Sequence, residues 1–327
     1  MQDCRFKLSI IIPMYNAEKY IGACLDSLLN SGMPTNIYEI VVVNDGSNDK
    51  GPDIVKKYVN RFNNIQYLTQ DNQGQSTARN QGIKKCHGEY IWCVDADDKL
   101  NDEVCRVMPK LEQYSNIDIL AVQLMNSEED STPIQKSCTQ PSVKHNMLLK
   151  GRDAIIQGYN PSSVCALIVR KQLIVTNNLF FHVGITHQDV ELSYRLMAHA
   201  REVVFTDIVP YLYLTHIGST SKAVDPRKII KYVSDDCVIV ESFRNLSKEY
   251  AETDPQMSFT IAERAKNIHF GMAYNLFKHR GQWKAQGINK GVLDRMRSMG
   301  LFPLPHNYSD WKKVLVSFLL NLSWFYE

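Results

Sequence analysis

The chain has 327 residues, 44% of them hydrophobic and 22% charged. At about 150 residues per domain, that length suits two domains or one large domain with an extension, and the composition excludes disorder throughout. With 37 basic and 35 acidic side chains the formal net charge is +2, so bulk charge does not mark a polyanion binder. The eight cysteines (Cys4, Cys24, Cys86, Cys93, Cys105, Cys138, Cys165 and Cys237) include no C-x-x-C pair. That spacing excludes a common zinc framework and predicts buried, reduced thiols in the cytosol.

Taken in chain order, M-Q-D-C-R-F-K-L-S-I-I-I-P carries no signal-peptide pattern, because the apolar run is short and stops at Pro13. Leu8 to Pro13 predicts a buried strand. Ala17 to Asn30 predicts a helix behind an Asn16 cap, with Ile21, Cys24, Leu25, Leu28 and Leu29 at helical spacing. Glu39 to Asn44 predicts a strand, Asp53 to Phe62 a helix, Ile65 to Leu68 a strand, Ser76 to Cys86 a helix and Tyr90 to Val94 a strand. Apolar strands that each lead into a helix predict a mostly parallel sheet with helices on both faces, an α/β fold of Rossmann-like type. In such sheets ligands sit beyond the carboxyl ends of the strands. Tyr15, Asn16, Asn44, Asp45, Asp95, Asp97 and Asp98 end these strands.

Further along, residues 126–142 have loop composition, Val164 to Val169 and Val203 to Phe205 predict strands, and Asp189 to Ala200 predicts a helix. From about residue 225 the pattern turns helical. No stretch reaches the roughly 18 to 20 apolar residues of a membrane span. The nearest, Val314 to Tyr326, is thirteen uncharged residues long. These features predict a soluble chain, one able to touch a membrane.

Three clusters could carry chemistry. Val94-Asp-Ala-Asp-Asp98 runs a buried strand into three carboxylates within four residues. Such a cluster is either a solvated acidic turn or a site for a divalent cation with phosphate oxygens. Asn44-Asp-Gly-Ser-Asn-Asp49 is either a plain strand-to-helix turn or a place where the Asp45 carboxylate accepts from a base or ribose. Gln75-Ser-Thr-Ala-Arg-Asn80 places Arg79 on a helix due to pack on the sheet, as a surface arginine or as a partner for phosphate or the acidic cluster.

Together these segments resemble the family 2 inverting glycosyltransferases of the nucleotide-sugar-binding GT-A fold. The resemblance lies in S-I-I-I-P-M-Y-N from Ser9, E-I-V-V-V-N-D-G-S-N-D from Glu39, Q-D-N-Q-G-Q-S-T-A-R-N-Q-G from Gln70 and G-E-Y-I-W-C-V-D-A-D-D from Gly88. It continues more weakly through H-Q-D-V-E-L-S-Y-R-L from His187 and P-Y-L-Y-L-T-H-I-G-S-T-S from Pro210. It implies a GT-A domain over residues 1–222, with a nucleotide-binding half to residue 100 and an acceptor half after it, then a helical extension over 223–327.

The resemblance also implies roles. Pro13 and Tyr15 would line the nucleobase site, Asp45 would bond the uracil, and Arg79 would support the base and the acidic cluster. Asp95 would contact the ribose, while Asp97 and Asp98, with His216, would hold Mn²⁺ or Mg²⁺ against the diphosphate. Asp189 matches the general base of the family's Glu-Asp pair, although the residue before it is Gln188. The implied activity is metal-dependent, inverting transfer of a hexosyl or N-acetylhexosaminyl group from a UDP-sugar to a glycan or lipid-linked acceptor. Its setting would be surface-polysaccharide assembly at the inner face of the cell membrane, without nucleic acid.

Three other readings compete. A nucleotidyltransferase needs a Gly-rich loop after the first strand, where this chain reads P-M-Y-N-A-E. A dinucleotide-binding enzyme needs G-x-G-x-x-G at the same place. A non-catalytic nucleotide-sugar-binding protein is favoured only by Gln188.

Overall fold

The computed structural model describes residues 5–128, 134–136, 144–161, 163–215 and 225–322. The chain divides into two compact units, Met1–Gly184 with Gln188–Ile217, and Ile185–His187 with Gly218–Glu327.

The first unit is built on an eight-stranded sheet of order β3-β2-β1-β4-β10-β6-β11-β9. Its strands are β1 (Phe6–Met14), β2 (Tyr38–Asp45), β3 (Ile65–Gln70), β4 (Gly88–Cys93), β6 (Ile119–Ala121), β9 (Leu148–Leu149), β10 (Leu167–Arg170) and β11 (Val203–Phe205). β3, β2, β1 and β4 run parallel. β10 enters antiparallel between β4 and β6, which breaks the parallel run. A smaller sheet has the order β5-β12-β7-β8, from β5 (Lys99–Leu100), β7 (Leu124–Glu128), β8 (Ile134–Lys136) and β12 (Tyr211–Thr215).

The central strands are buried along their length because side chains of both parities are apolar. Ile10, Ile11 and Ile12 of β1 and Ile40 to Val43 of β2 have no solvent exposure. A strand of that composition needs cover on both faces. Helices α1 (Ile21–Leu29), α2 (Gly51–Val59) and α3 (Gln75–Lys85) connect the first four strands. The approach of α3 to the sheet depends on Gly82, where an added Cβ would lie 2.4 Å from a methyl of Ile11. Helices α4 (Val107–Gln113), α5 (Gly151–Ile156), α6 (Lys171–Thr176) and α7 (Gln188–His199) complete the unit.

The second unit is helical: α8 (Pro226–Glu249), α9 (Pro255–Lys278), α10 (Arg280–Ala285), α11 (Ile288–Ser298) and α12 (Trp311–Leu320). α8 and α9 both open on an aspartate cap followed by proline, Asp225-Pro226 and Asp254-Pro255, a pairing that satisfies end amides and presets the first helical φ. Their apolar faces close on α11 and on Leu320 of α12 in one core.

Several sequence expectations change. The first helix starts at Ile21, not Ala17, and Asn16 does not cap it. Asn16 instead adopts φ 49° in the left-handed region and accepts from the Asn48 amide at 2.9 Å, so it ties two strand-end loops together. The segment with loop composition after Val122 contains β7 and β8, paired antiparallel, because pairing satisfied backbone that its polar side chains had disguised; the rest of 126–142 lies largely outside the described residues. Val164–Ala166 is a 3-10 turn and only Leu167–Arg170 is strand. Among the described cysteines all are free thiols, but Cys105 is exposed, on a short surface 3-10 turn.

Candidate active site

The carboxyl ends of β1, β2 and β4 converge as the parallel arrangement requires. At the end of β1, Pro13 is buried within the strand and Tyr15 stands 51% exposed beyond it. At the end of β2, Asp45 is buried: Oδ1 accepts from Gln70 Nε2 at 2.7 Å and the Gln73 amide at 2.8 Å, and Oδ2 from the Gly74 amide at 2.8 Å. Three donors on one carboxylate fix the loop that leads into α3, and Oδ2 keeps a lone pair beyond its single bond. Gly46, at φ 73°, allows that turn, since a Cβ there would meet the Asn72 amide at 2.9 Å.

The loops that follow β1 and β2 are laced by polar bonds. The Asn16 amide donates to Ser47 Oγ at 3.0 Å, the Ser47 amide to Asn44 Oδ1 at 3.0 Å and the Glu18 amide to Asp49 Oδ2 at 2.7 Å. Asn, Ser and Asp therefore serve here as loop fasteners.

Beyond β4 lies the acidic cluster. Asp95, Asp97 and Asp98 each present a carboxylate oxygen within 4.8 Å of the others. Asp98 is buried, its Oδ2 accepting from the Tyr211 hydroxyl at 2.6 Å and its Oδ1 from the Leu214 amide at 2.8 Å. Its carboxyl is pushed up to about 8, first by burial and next by the charge of Asp95, against the opposing pull of the Tyr211 hydroxyl. Three carboxylates brought together in this way form an all-oxygen donor set, which fits a hard divalent cation such as Mg²⁺ or Mn²⁺.

Arg79 links this cluster to α7. The side chain is 1% exposed and projects from α3. Its Nη2 donates to Asp95 Oδ1 at 2.6 Å and its Nη1 to Asp189 Oδ1 at 2.8 Å. The guanidinium carbon lies 5.0 Å from the centre of the Phe181 ring. Burial alone would lower the guanidinium's pKa, but the charges of Asp95 and Asp189 override it and hold it well above its ordinary value. Arg79 is therefore a permanent cation, buried between two carboxylates, and not a surface arginine. Asp189 sits in the first turn of α7, where a negative charge is favoured, and its Oδ2 accepts from Ser163 Oγ at 3.3 Å.

Gln188 is buried, and its Nε2 donates to Gln75 Oε1 at 2.9 Å. Gln75 Nε2 donates in turn to Asp95 Oδ1 at 3.0 Å. Glu191, two residues after Asp189 in the same turn of α7, is buried with both oxygens held by Arg195, at 2.7 and 2.9 Å. That fork is an ion pair within one helix.

One bonded set therefore joins Arg79, Asp95 and Asp189, with Asp97 and Asp98 beside Asp95. Asp45 and Tyr15 stand at the ends of the neighbouring strands, and His216 lies outside the described residues. Sequence reasoning missed Gln75, Ser163 and Tyr211. Gln75 could have been found, since it precedes Arg79 by four residues, one helical turn, and so shares its face. Ser163 comes from a distant segment with no local signal, and Tyr211 lies in the weakly resembling stretch from Pro210 without a mark of its own.

The profile of Glycosyl transferase family 2 matches residues 9–170. Glycosyltransferase YibD of Escherichia coli K12 is 28% identical over 257 residues, which are 77% of this chain and 74% of that protein. The poly(ribitol-phosphate) β-N-acetylglucosaminyltransferase TarS of Staphylococcus aureus is 31% identical over 176 residues, 54% of this chain and 29% of that protein. Among solved structures, S. aureus TarS 1–349 in complex with UDP-GlcNAc superposes with a TM-score of 0.66 at 22% identity, covering 98% of this chain and 91% of that one. That likeness identifies the fold as GT-A. The matched profile runs through the ends of β1, β2 and β4, through Arg79 and through the acidic cluster, while Asp189 lies beyond it, and the chain belongs to glycosyltransferase family 2.

Proposed function

We propose that the chain moves a sugar from a UDP-sugar to an acceptor hydroxyl in one inverting displacement, with Asp189 as the base and with Mn²⁺ or Mg²⁺ on the acidic cluster. The observation that carries this reading is the Arg79 bridge, which holds Asp95 and Asp189 on one guanidinium. A donor-side carboxylate and a base must lie close together if a single displacement is to join donor and acceptor. The choice of uridine rests on TarS, solved with UDP-GlcNAc and with UDP.

The roles follow from the bonds. Exposed Tyr15 offers a ring face for the base, and Asp45 Oδ2 has a lone pair for a base N–H. Asp95, Asp97 and Asp98 would together hold the cation, each offering a carboxylate oxygen within 4.8 Å of the others; both Asp98 oxygens also accept hydrogen bonds, from the Tyr211 hydroxyl and the Leu214 amide. A bound divalent cation supplies charge neutralisation for the leaving nucleoside diphosphate. Arg79 fixes Asp189 through Oδ1, and the carboxylate takes the acceptor's proton as the new carbon–oxygen bond forms and the bond to the diphosphate breaks. Nothing in this scheme needs a covalent intermediate.

Replacing Asp97 by alanine is expected to lower transfer by about 100-fold and to weaken nucleotide-sugar binding. Activity assays with and without chelator test it: full activity in excess chelator would remove the metal from the scheme.

The acceptor in this reading is a glycan or lipid-linked glycan of surface-polysaccharide assembly, met in the cytoplasm at the membrane face. Among the described residues no helix is long and apolar enough to cross a membrane. α12, however, seats Ser317 and Leu320 in the core of its unit and turns Trp311, Leu315, Phe318 and Leu319 outward, each more than half exposed. Residues 277–313 carry eight basic and two acidic side chains, a net charge of +6. An amphipathic helix beside a basic stretch suits an anionic lipid interface, at about 1 kcal/mol per basic residue near the surface.

Ending the chain at Pro305 would strip Leu320 from the core, so surface substitutions are the cleaner probe. Leu315→Ser with Phe318→Ser is expected to reduce co-sedimentation with phosphatidylglycerol vesicles while transfer to a soluble acceptor persists. Unchanged, salt-insensitive sedimentation would leave this helix face a packing or self-association surface.

A further inference from the structure

We propose that Gln188 is a positioning residue that acts on Asp95 through Gln75, and that the direction of these hydrogen bonds demands an amide at position 188. The inference rests on the reading of Asp95 as a donor-side group.

The direction is fixed from one end. Asp95 Oδ1 accepts from Arg79 Nη2 at 2.6 Å and from Gln75 at 3.0 Å, and an oxygen that already accepts from the guanidinium calls for a second donor there, not an acceptor. Gln75 must therefore turn its NH₂ toward Asp95, which leaves its Oε1 facing Gln188. The group at 188 must then be a donor, and Gln188 Nε2 supplies the bond at 2.9 Å. Gln188 Oε1 is left buried without a hydrogen-bond partner among the described residues. The amide's orientation thus serves Gln75 at a cost to Gln188 itself, since an unmet buried acceptor is unfavourable.

A carboxylate at 188 fails in this setting for two separate reasons. It has no proton for Gln75 Oε1, so two oxygens would face each other at the present separation. If Gln75 turned over to donate to it, Gln75 Oε1 would face Asp95, and Asp95 would lose a donor. A glutamate would also add a carboxyl group to a site where Arg79 is already shared between Asp95 and Asp189. The departure from the family's Glu-Asp pair is thus matched by Gln75, one turn before Arg79 on α3, and the neutral pair hands its orientation on to Asp95.

The test is a double-mutant cycle on the full chain: wild type, Gln188→Glu, Gln75→Met and the two combined. UDP affinity is measured by calorimetry with Mn²⁺ present, and melting temperature without ligand. Gln188→Glu is expected to weaken UDP about tenfold, the loss of one hydrogen bond to a charged group, and to lower the melting temperature by a few degrees. In the Gln75→Met background the same substitution should change both much less, because the amide that conflicts with it is gone. Equal effects in both backgrounds would overturn the proposal, for the glutamate would then act by charge alone. Coupling in melting temperature but not in UDP affinity would also overturn it, as the pair would be purely structural. A wild-type chain that binds no UDP would sink the donor assignment instead; additive melting-temperature shifts would then still reject the relay.

Discussion

Replacing Asp189 by asparagine is expected to lower sugar transfer by about 10² to 10⁴ while nucleotide binding stays close to wild type. Asparagine keeps the shape and retains an oxygen to accept from Arg79 Nη1, now 2.8 Å from Asp189 Oδ1. It removes the negative charge and with it the capacity to take a proton, while Asp95 still pairs with Arg79 and the Ser163 hydroxyl can accept from the new amide. The loss should therefore fall on kcat, with calorimetric UDP affinity altered less than about threefold. Initial-rate kinetics beside UDP titration separate the two. A variant that transfers at near wild-type rate would mean that another group is the base. Glu191→Gln is the control: Glu191 is 2% exposed and forked onto Arg195, so that substitution should cost stability first and rate only through it.

The sheet was legible because its strands are buried on both faces. I-I-I-P, I-V-V-V and Y-I-W-C-V are apolar runs with no solvent side, and each ends in polar residues that a packed strand would not carry without a use. The strand-end carboxylates and Arg79 could be read for the same reason. Asp189, by contrast, looks like any acidic residue in a first helical turn, and only the resemblance to a family marked it. What joins it to the acidic cluster is a contact across 110 positions of sequence. Pairings of that range leave no periodic trace.

The short strands were misread for a related cause. β7 and β8 hold five and three residues, and part of what they carry is polar, so composition suggested a loop where backbone pairing formed a sheet edge. Asn16 was misread because asparagine serves equally as a helix cap and in the left-handed region. Here the left-handed form prevails, since it lets Oδ1 reach the Asn48 amide and lock two strand-end loops together.

Arg79→Met is expected to abolish transfer and to destabilise the first unit by about 3 to 5 kcal/mol, the cost of leaving buried charges without their partner. The size of the effect follows from the arrangement. Arg79 is 1% exposed and shared between Asp95 and Asp189, so its loss leaves two carboxylates facing a neutral side chain. Arg79→Lys should behave differently. Lysine restores a charge and can satisfy one carboxylate, but it lacks the planar fork that reaches both with separate nitrogens. It should recover most of the stability and little of the transfer. Urea unfolding of both variants, with transfer assays at a temperature where each remains folded, gives the comparison. The decisive quantity is the split between them. A lysine variant that regains activity in step with stability would reduce Arg79 to a structural charge, whereas a stable but inactive one requires the simultaneous hold on Asp95 and Asp189 that only the guanidinium provides.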